Sequence, residues 1–181
     1  REAEEQLDNY SIIGTNTVSI PIAELGKALR RPQNYVGLHF FPPAESVPLV
    51  EIVAGADPSD DTVARAIDFV QRIIKIPIVV KDVWGFYAAR VQNTYILEGI
   101  SMLKEGYPPA LIENSGRQLG LPNGPLELAD AMGLQLVLKY EEQAAMHYGS
   151  NYVQHPAVSV LKTMIEDLER TGRTKKAGFY E

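Results

Sequence analysis

The chain has 181 residues and carries 17 Lys and Arg against 23 Asp and Glu, a formal net charge of −6. A hydrophobic fraction of 45% and a charged fraction of 22% are those of an ordinary water-soluble globular protein, long enough for one domain or two small ones. The acidic balance, with no basic cluster beyond an Arg30–Arg31 pair read as solvated, argues against a nucleic-acid surface, and the lack of cysteine excludes disulfides and thiolate metal sites.

In chain order, the first ten residues, REAEEQLDNY, are charged and unlike a secretion signal. Apolar runs are everywhere too short to span a bilayer, so a cytoplasmic location is the expectation. Residues 11–16, 34–41, 47–54 and 76–82 are β-branched runs bounded by Pro, Gly and Asn, and read as strands. Between the last two, residues 59–75 predict an amphipathic helix. Ser59 is its N-cap, two Asp follow, and Val63, Ala66, Ile67, Val70, Ile73 and Ile74 share one face.

Beyond residue 82 strand signals cease. Residues 85–106, 108–120, 121–133, 134–149 and 155–172 read as about five helical segments with Pro or Gly at most joints. The expected division is therefore 1–81, an α/β portion, and 82–181, an all-helical domain. The α/β portion resembles the end of a doubly wound sheet, and no G-x-G-x-x-G turn occurs in the chain. If a dinucleotide is used, the half that grips its pyrophosphate is missing.

Two polar residues interrupt apolar strands: His39 in VGLHFF and Glu51 in VPLVEIV. The loop PPAESVP suits an antiparallel return, and a hairpin whose paired positions sum to about 90 sets His39 opposite Glu51, with facing Cβ atoms about 5 Å apart. Both side chains then project to the same side. A carboxylate on one ring nitrogen leaves the other free to take a proton, which suits general-base work. By spacing alone the pair is either a satisfied structural contact or a catalytic dyad. His147 and His155 lack metal-site spacing, and no metal is expected.

The motifs GLHFFPP and PLVEIV resemble the HFFNP and LVEV of the 3-hydroxyacyl-CoA dehydrogenase family. The likeness continues through GTNTVSIPI (14–22), VVKDVWGFYAAR (79–90), GLPNGPLELADAMGL (120–134) and GRTKKAGFYE (172–181), five motifs in family order over nearly the whole chain. GFYAARV and YPPALIE are similar to the dehydrogenase part of bacterial multifunctional β-oxidation proteins. The resemblance implies the C-terminal part of a Rossmann-like NAD-binding domain followed by a helical substrate and dimerisation domain. It also implies oxidation of the C3 hydroxyl of 3-hydroxyacyl-CoA with NAD, and a homo-oligomer. His39 falls on the family's general base and Glu51 on its partner. Asn16 and Thr17 match residues beside the nicotinamide.

Other positions depart from the family. Its substrate-binding serine lands on Val18, with Ser19 adjacent, and two family asparagines become Pro42 and Ala89. Asn93, one turn beyond Ala89, is the candidate replacement amide, with a solvated or helix-packing amide as its alternative. The fragment alone is expected to be inactive and to bind NAD poorly. The departures leave two rivals: a relative that binds acyl-CoA or supports assembly without turnover, and a dehydrogenase of hydroxyacids not linked to CoA.

Overall fold

A computed structural model describes residues 2–17, 20–55, 58–173 and 177–180. The chain divides into two compact units, Arg1–Arg90 and Val91–Glu181.

The first unit is built on a sheet in the order β1 (Ile13–Thr15), β2 (Tyr35–Phe40), β3 (Leu49–Ala54), β4 (Ile76–Lys81). The outer pairs, β1 with β2 and β3 with β4, are parallel and the central pair is antiparallel, with His39 opposite Glu51. Alternation along the strands gives each face its own neighbour. Val36, Val50 and Ile52 pack on Ala66 and Val70 of α3 (Asp60–Arg72). Tyr35 and Val53, on the other face, pack on Ile22 of the short helix α2 (Ile22–Gly26) and on Phe86. The approach of α2 depends on Gly37, since a Cβ there would lie 2.9 Å from both Ile22 and Val53.

Ser59 caps α3 as expected, accepting from the Thr62 N–H at 3.1 Å. The predicted apolar face is too long at its C-terminal end. The helix stops at Arg72, and Ile73 and Ile74 are 40% and 90% exposed. Lys75 N–H reaches back to the Val70 carbonyl, and Ile74 takes φ 60°, so the chain leaves the helix through a left-handed residue to enter β4. Arg31 is likewise not simply solvated. Its backbone N–H, with that of Arg30, donates to the buried Glu4 carboxylate of α1 (Glu2–Glu5), and its guanidinium donates to main-chain oxygens of Glu4 and Asp8.

The second unit contains α4 (Ala88–Lys104, most of its length), α5 (Pro109–Gln118), α6 (Pro125–Met132), α7 (Leu134–Tyr148) and α8 (Ala157–Lys162). Their core joins Ile96, Ile100, Ile112, Leu126, Leu134, Val137 and Leu161. The segment expected to be one helix over 155–172 is α only to Lys162 and continues as a π-turn, Thr163–Asp167. Leu168 N–H bonds to the Thr163 carbonyl there, and Glu169 follows at φ 55°. Among the described residues no helix is long and apolar enough to cross a membrane.

Candidate active site

The hairpin of β2 and β3 holds the site. His39 Nδ1 lies 2.6 Å from Glu51 Oε2. Glu51 is fully buried and His39 is 8% exposed. The second carboxylate oxygen, Oε1, accepts from the backbone N–H of Tyr87 at 3.1 Å and of Ala88 at 2.7 Å. Burial opposes ionisation of Glu51, but the hydrogen bond from His39, the Ala88 N–H, the attraction of the imidazole and the Tyr87 N–H outweigh it, and the carboxyl is held below its usual range. An ionised carboxylate only accepts, so Nδ1 carries a proton, and in the neutral ring Nε2 is then the nitrogen that holds the lone pair. Among the described residues Nε2 has no hydrogen-bond partner.

Two rings fix the imidazole laterally: Phe41 at a centroid distance of 4.3 Å and Phe86 at 6.0 Å. Gly85 and Phe86 both have positive φ, 72° and 49°, a sharp turn immediately before the two N–H groups that face Glu51. Asp82 braces the same face, its two oxygens accepting from Ile22 and Ala23 N–H at 3.0 and 2.7 Å. Sequence reasoning passed over these supports. The backbone donors leave no side-chain signature, although the GF pair at 85–86 and the acid at 82 mark where the turn falls.

The other expected site residues lie as follows. Asn16 accepts the Phe40 N–H at 3.1 Å through Oδ1, which ties the end of β1 to the residue beside His39. Thr17 follows it and is half-buried. Val18 and Ser19 lie outside the described residues. Asn93 belongs to the helical unit, where it is 9% exposed and its Nδ2 donates to Glu141 Oε1 at 2.8 Å. Glu141 Oε2 accepts in turn from the Tyr152 hydroxyl at 2.9 Å. Pro42 is exposed and Ala89 half-buried, and neither offers a side-chain hydrogen bond. The described residues contain no group of three His, Asp or Glu able to hold a metal ion.

The imidazole oriented by a buried acid lies on a mixed sheet that an all-helical unit follows in the chain, the order of parts the motifs implied. Residues 1–83 match the family model for the 3-hydroxyacyl-CoA dehydrogenase NAD binding domain, and residues 85–181 match that for the 3-hydroxyacyl-CoA dehydrogenase C-terminal domain. The chain therefore belongs to the 3-hydroxyacyl-CoA dehydrogenase family.

It is 33% identical over 181 residues to the fatty acid oxidation complex subunit alpha of Shewanella baltica (strain OS185), covering all of this chain and 25% of that protein. Among solved structures, (S)-3-hydroxybutyryl-CoA dehydrogenase PaaH1 from Ralstonia eutropha superposes with a TM-score of 0.89 at 29% identity, over 99% of this chain and 63% of that one. For 3-hydroxybutyryl-CoA dehydrogenase from Escherichia coli K12 the TM-score is 0.87 at 27% identity, over 99% and 38%. The chain thus spans a quarter of the length of its curated relative. The expected fold, a Rossmann-like NAD-binding portion followed by a helical domain, is borne out by these matches.

Proposed function

We propose that these residues form the proton-transfer half of an NAD-dependent 3-hydroxyacyl-CoA dehydrogenase, which oxidises the C3 hydroxyl of 3-hydroxyacyl-CoA to the 3-ketoacyl-CoA in fatty-acid β-oxidation. The contact of 2.6 Å between His39 and the fully buried Glu51 carries this reading. His39 Nε2 takes the hydroxyl proton as hydride leaves C3, and Glu51 stabilises the imidazolium that forms. When bound, NAD supplies the hydride acceptor. The exposed Asn16 and the adjacent Thr17 are on hand to line the nicotinamide side, whereas no glycine-rich turn in these 181 residues offers a seat for the pyrophosphate. Ser19 and Asn93 remain the candidates for contact with substrate, one Nδ2 hydrogen of Asn93 being already given to Glu141.

The test is NADH absorbance with 3-hydroxybutyryl-CoA and longer acyl chains, using the native polypeptide that contains these residues. Turnover that collapses in His39→Ala supports the reading. An Asn93→Ala protein with unchanged turnover removes Asn93 from the site.

The non-catalytic reading, an acyl-CoA-binding or assembly module, draws on Pro42, Ala89 and the engagement of Asn93 with Glu141. It requires no turnover at any chain length, while comparison with free hydroxyacids separates CoA-linked from unlinked substrates. A cytoplasmic location and a homo-oligomer through the helical unit accompany the dehydrogenase reading. Light scattering on the intact protein checks the self-association.

A further inference from the structure

The half-buried Lys75 spends its ammonium on main-chain oxygens. Its Nζ donates to the carbonyls of Ala44, of Val47 at 2.8 Å and of Glu45 at 3.3 Å. An ammonium has three N–H donors, so these bonds to the connection between β2 and β3 use the whole set. That connection holds one helical turn, in which the Pro43 carbonyl accepts from the Ser46 and Val47 N–H groups, both at 3.0 Å. Carbonyls at the end of such a turn have no partner within it, and Lys75 supplies one for three of them. The lysine is itself held on both sides. Its N–H bonds to the Val70 carbonyl at 3.1 Å, past the left-handed Ile74, and the next N–H, that of Ile76, bonds to the Pro48 carbonyl at 2.7 Å.

The clamped turn reaches His39 through a short, stiff path. Pro42 and Pro43 lead into it, and their rings lock φ in two consecutive residues. Phe41 comes immediately before them, its ring centroid 4.3 Å from that of the His39 imidazole and its plane tilted by 51°. On the upstream side the Phe40 N–H is tied to Asn16 Oδ1 at 3.1 Å. Phe41 therefore sits between two fixed points, the end of β2 and the turn at 43–47, and its backbone moves only if one of them yields.

We propose that Lys75 is a positioning residue for His39: by clamping the turn at 43–47 it sets the Phe41 ring against the imidazole and holds Nε2 in its working direction. This rests on the reading of His39 as the base. In the native polypeptide Lys75→Met, which keeps the stem and removes the donors, is expected to lower kcat about tenfold with KM within about twofold of wild type, because misplacing a reacting group slows the chemical step more than substrate capture. Phe41→Leu is expected to do the same, and the double variant no more than Phe41→Leu alone, since both substitutions act on one path. Losses that multiply, or wild-type kcat in Lys75→Met, overturn the proposal.

Two further readouts do not depend on turnover. The His39 Cε1–H resonance, displaced by the ring current of Phe41, is expected to move in Lys75→Met toward its position in Phe41→Leu, and an unmoved resonance overturns the proposal. If the resonance moves while His39→Ala keeps full turnover, the reading of His39 as base fails and the positioning of its ring by Lys75 is supported. In the wild type, acetic anhydride followed by mass spectrometry is expected to modify Lys75 about tenfold more slowly than the exposed Lys81 and Lys139, since its ammonium is held in three hydrogen bonds. Labelling of Lys75 at the rate of those two overturns the clamp even if Lys75→Met fails to fold.

Discussion

The two units use the same device for different ends. Glu51 in the α/β unit and Asp130 in the helical unit are both buried carboxylates that accept two backbone N–H groups. Asp130 receives one donor on each oxygen, at 2.8 and 2.9 Å, and thereby fastens the segment at 179–180 to α6. Gly178 permits that approach, since a Cβ there would overlap the carboxylate. Glu51 gathers both N–H groups on Oε1 and keeps Oε2 for an imidazole. A saturated acid is a fastener, whereas an acid with one oxygen turned to a titratable ring orients a base.

The strongest way to break that contrast is at the dyad. Glu51→Gln retains an oxygen for the Tyr87 and Ala88 N–H groups but presents an amide N–H to His39 Nδ1. The ring then shifts to the tautomer with Nε2 protonated, which cannot accept the alcohol proton. Turnover in the native polypeptide is expected to fall about 10²–10⁴-fold, as in His39→Ala, with little change in KM. Equal turnover in Glu51→Gln and wild type would reduce the pair to a structural contact.

Asp130→Ala gives the complementary result. Removing the acceptor leaves the Phe179 and Tyr180 N–H groups without their charged partner, and stability by chemical denaturation is expected to drop by about 2–3 kcal/mol. Turnover per folded molecule is expected to stay within a few-fold of wild type.

The dyad was legible because the pleat makes it so. Two polar residues in apolar strands, with positions summing to 90 about a Pro-rich loop, can only meet if the hairpin closes in that register, and it does. The same logic found Ser59. It failed where side-chain pattern and backbone geometry disagree: Ile73 and Ile74 continue the apolar periodicity of α3, yet the turn into β4 ends the helix first. Asn93 shows another limit. Helical spacing placed it one turn from Ala89 but gave no view of Glu141, 48 residues away in sequence, which takes its amide. Glu4 beneath Arg30 and Arg31 is the same case, a long-range partner that no local pattern announces.

Acid titration sharpens the comparison less steeply. The Glu51 carboxyl is held below the ordinary value of about 4.3, so the folded state binds its proton less readily than the unfolded state. The stability this confers is complete above the ordinary value and is lost as pH falls through the lower folded one. The stability difference between wild type and Glu51→Gln is therefore expected to be flat near neutrality and to narrow below about pH 4. A difference that widens in acid would mean that Glu51 is protonated in the native state.

The smallest effect is a control for both carboxylates. Ile74 occupies the left-handed region at φ 60° with its side chain 90% exposed, so it bears the strain of a β-branched residue there and gains almost no burial in return. Glycine adopts this conformation without a Cβ clash but loses more entropy on folding, so Ile74→Gly is expected to stabilise the protein by about 1 kcal/mol or slightly less. Chemical denaturation measures the gain, and NADH absorbance is expected to show turnover unchanged, because Ile74 touches neither the imidazole nor its acid. A turnover change of the size seen in Glu51→Gln would mean that stability, and not tautomer control, governs the activity of the dyad variants.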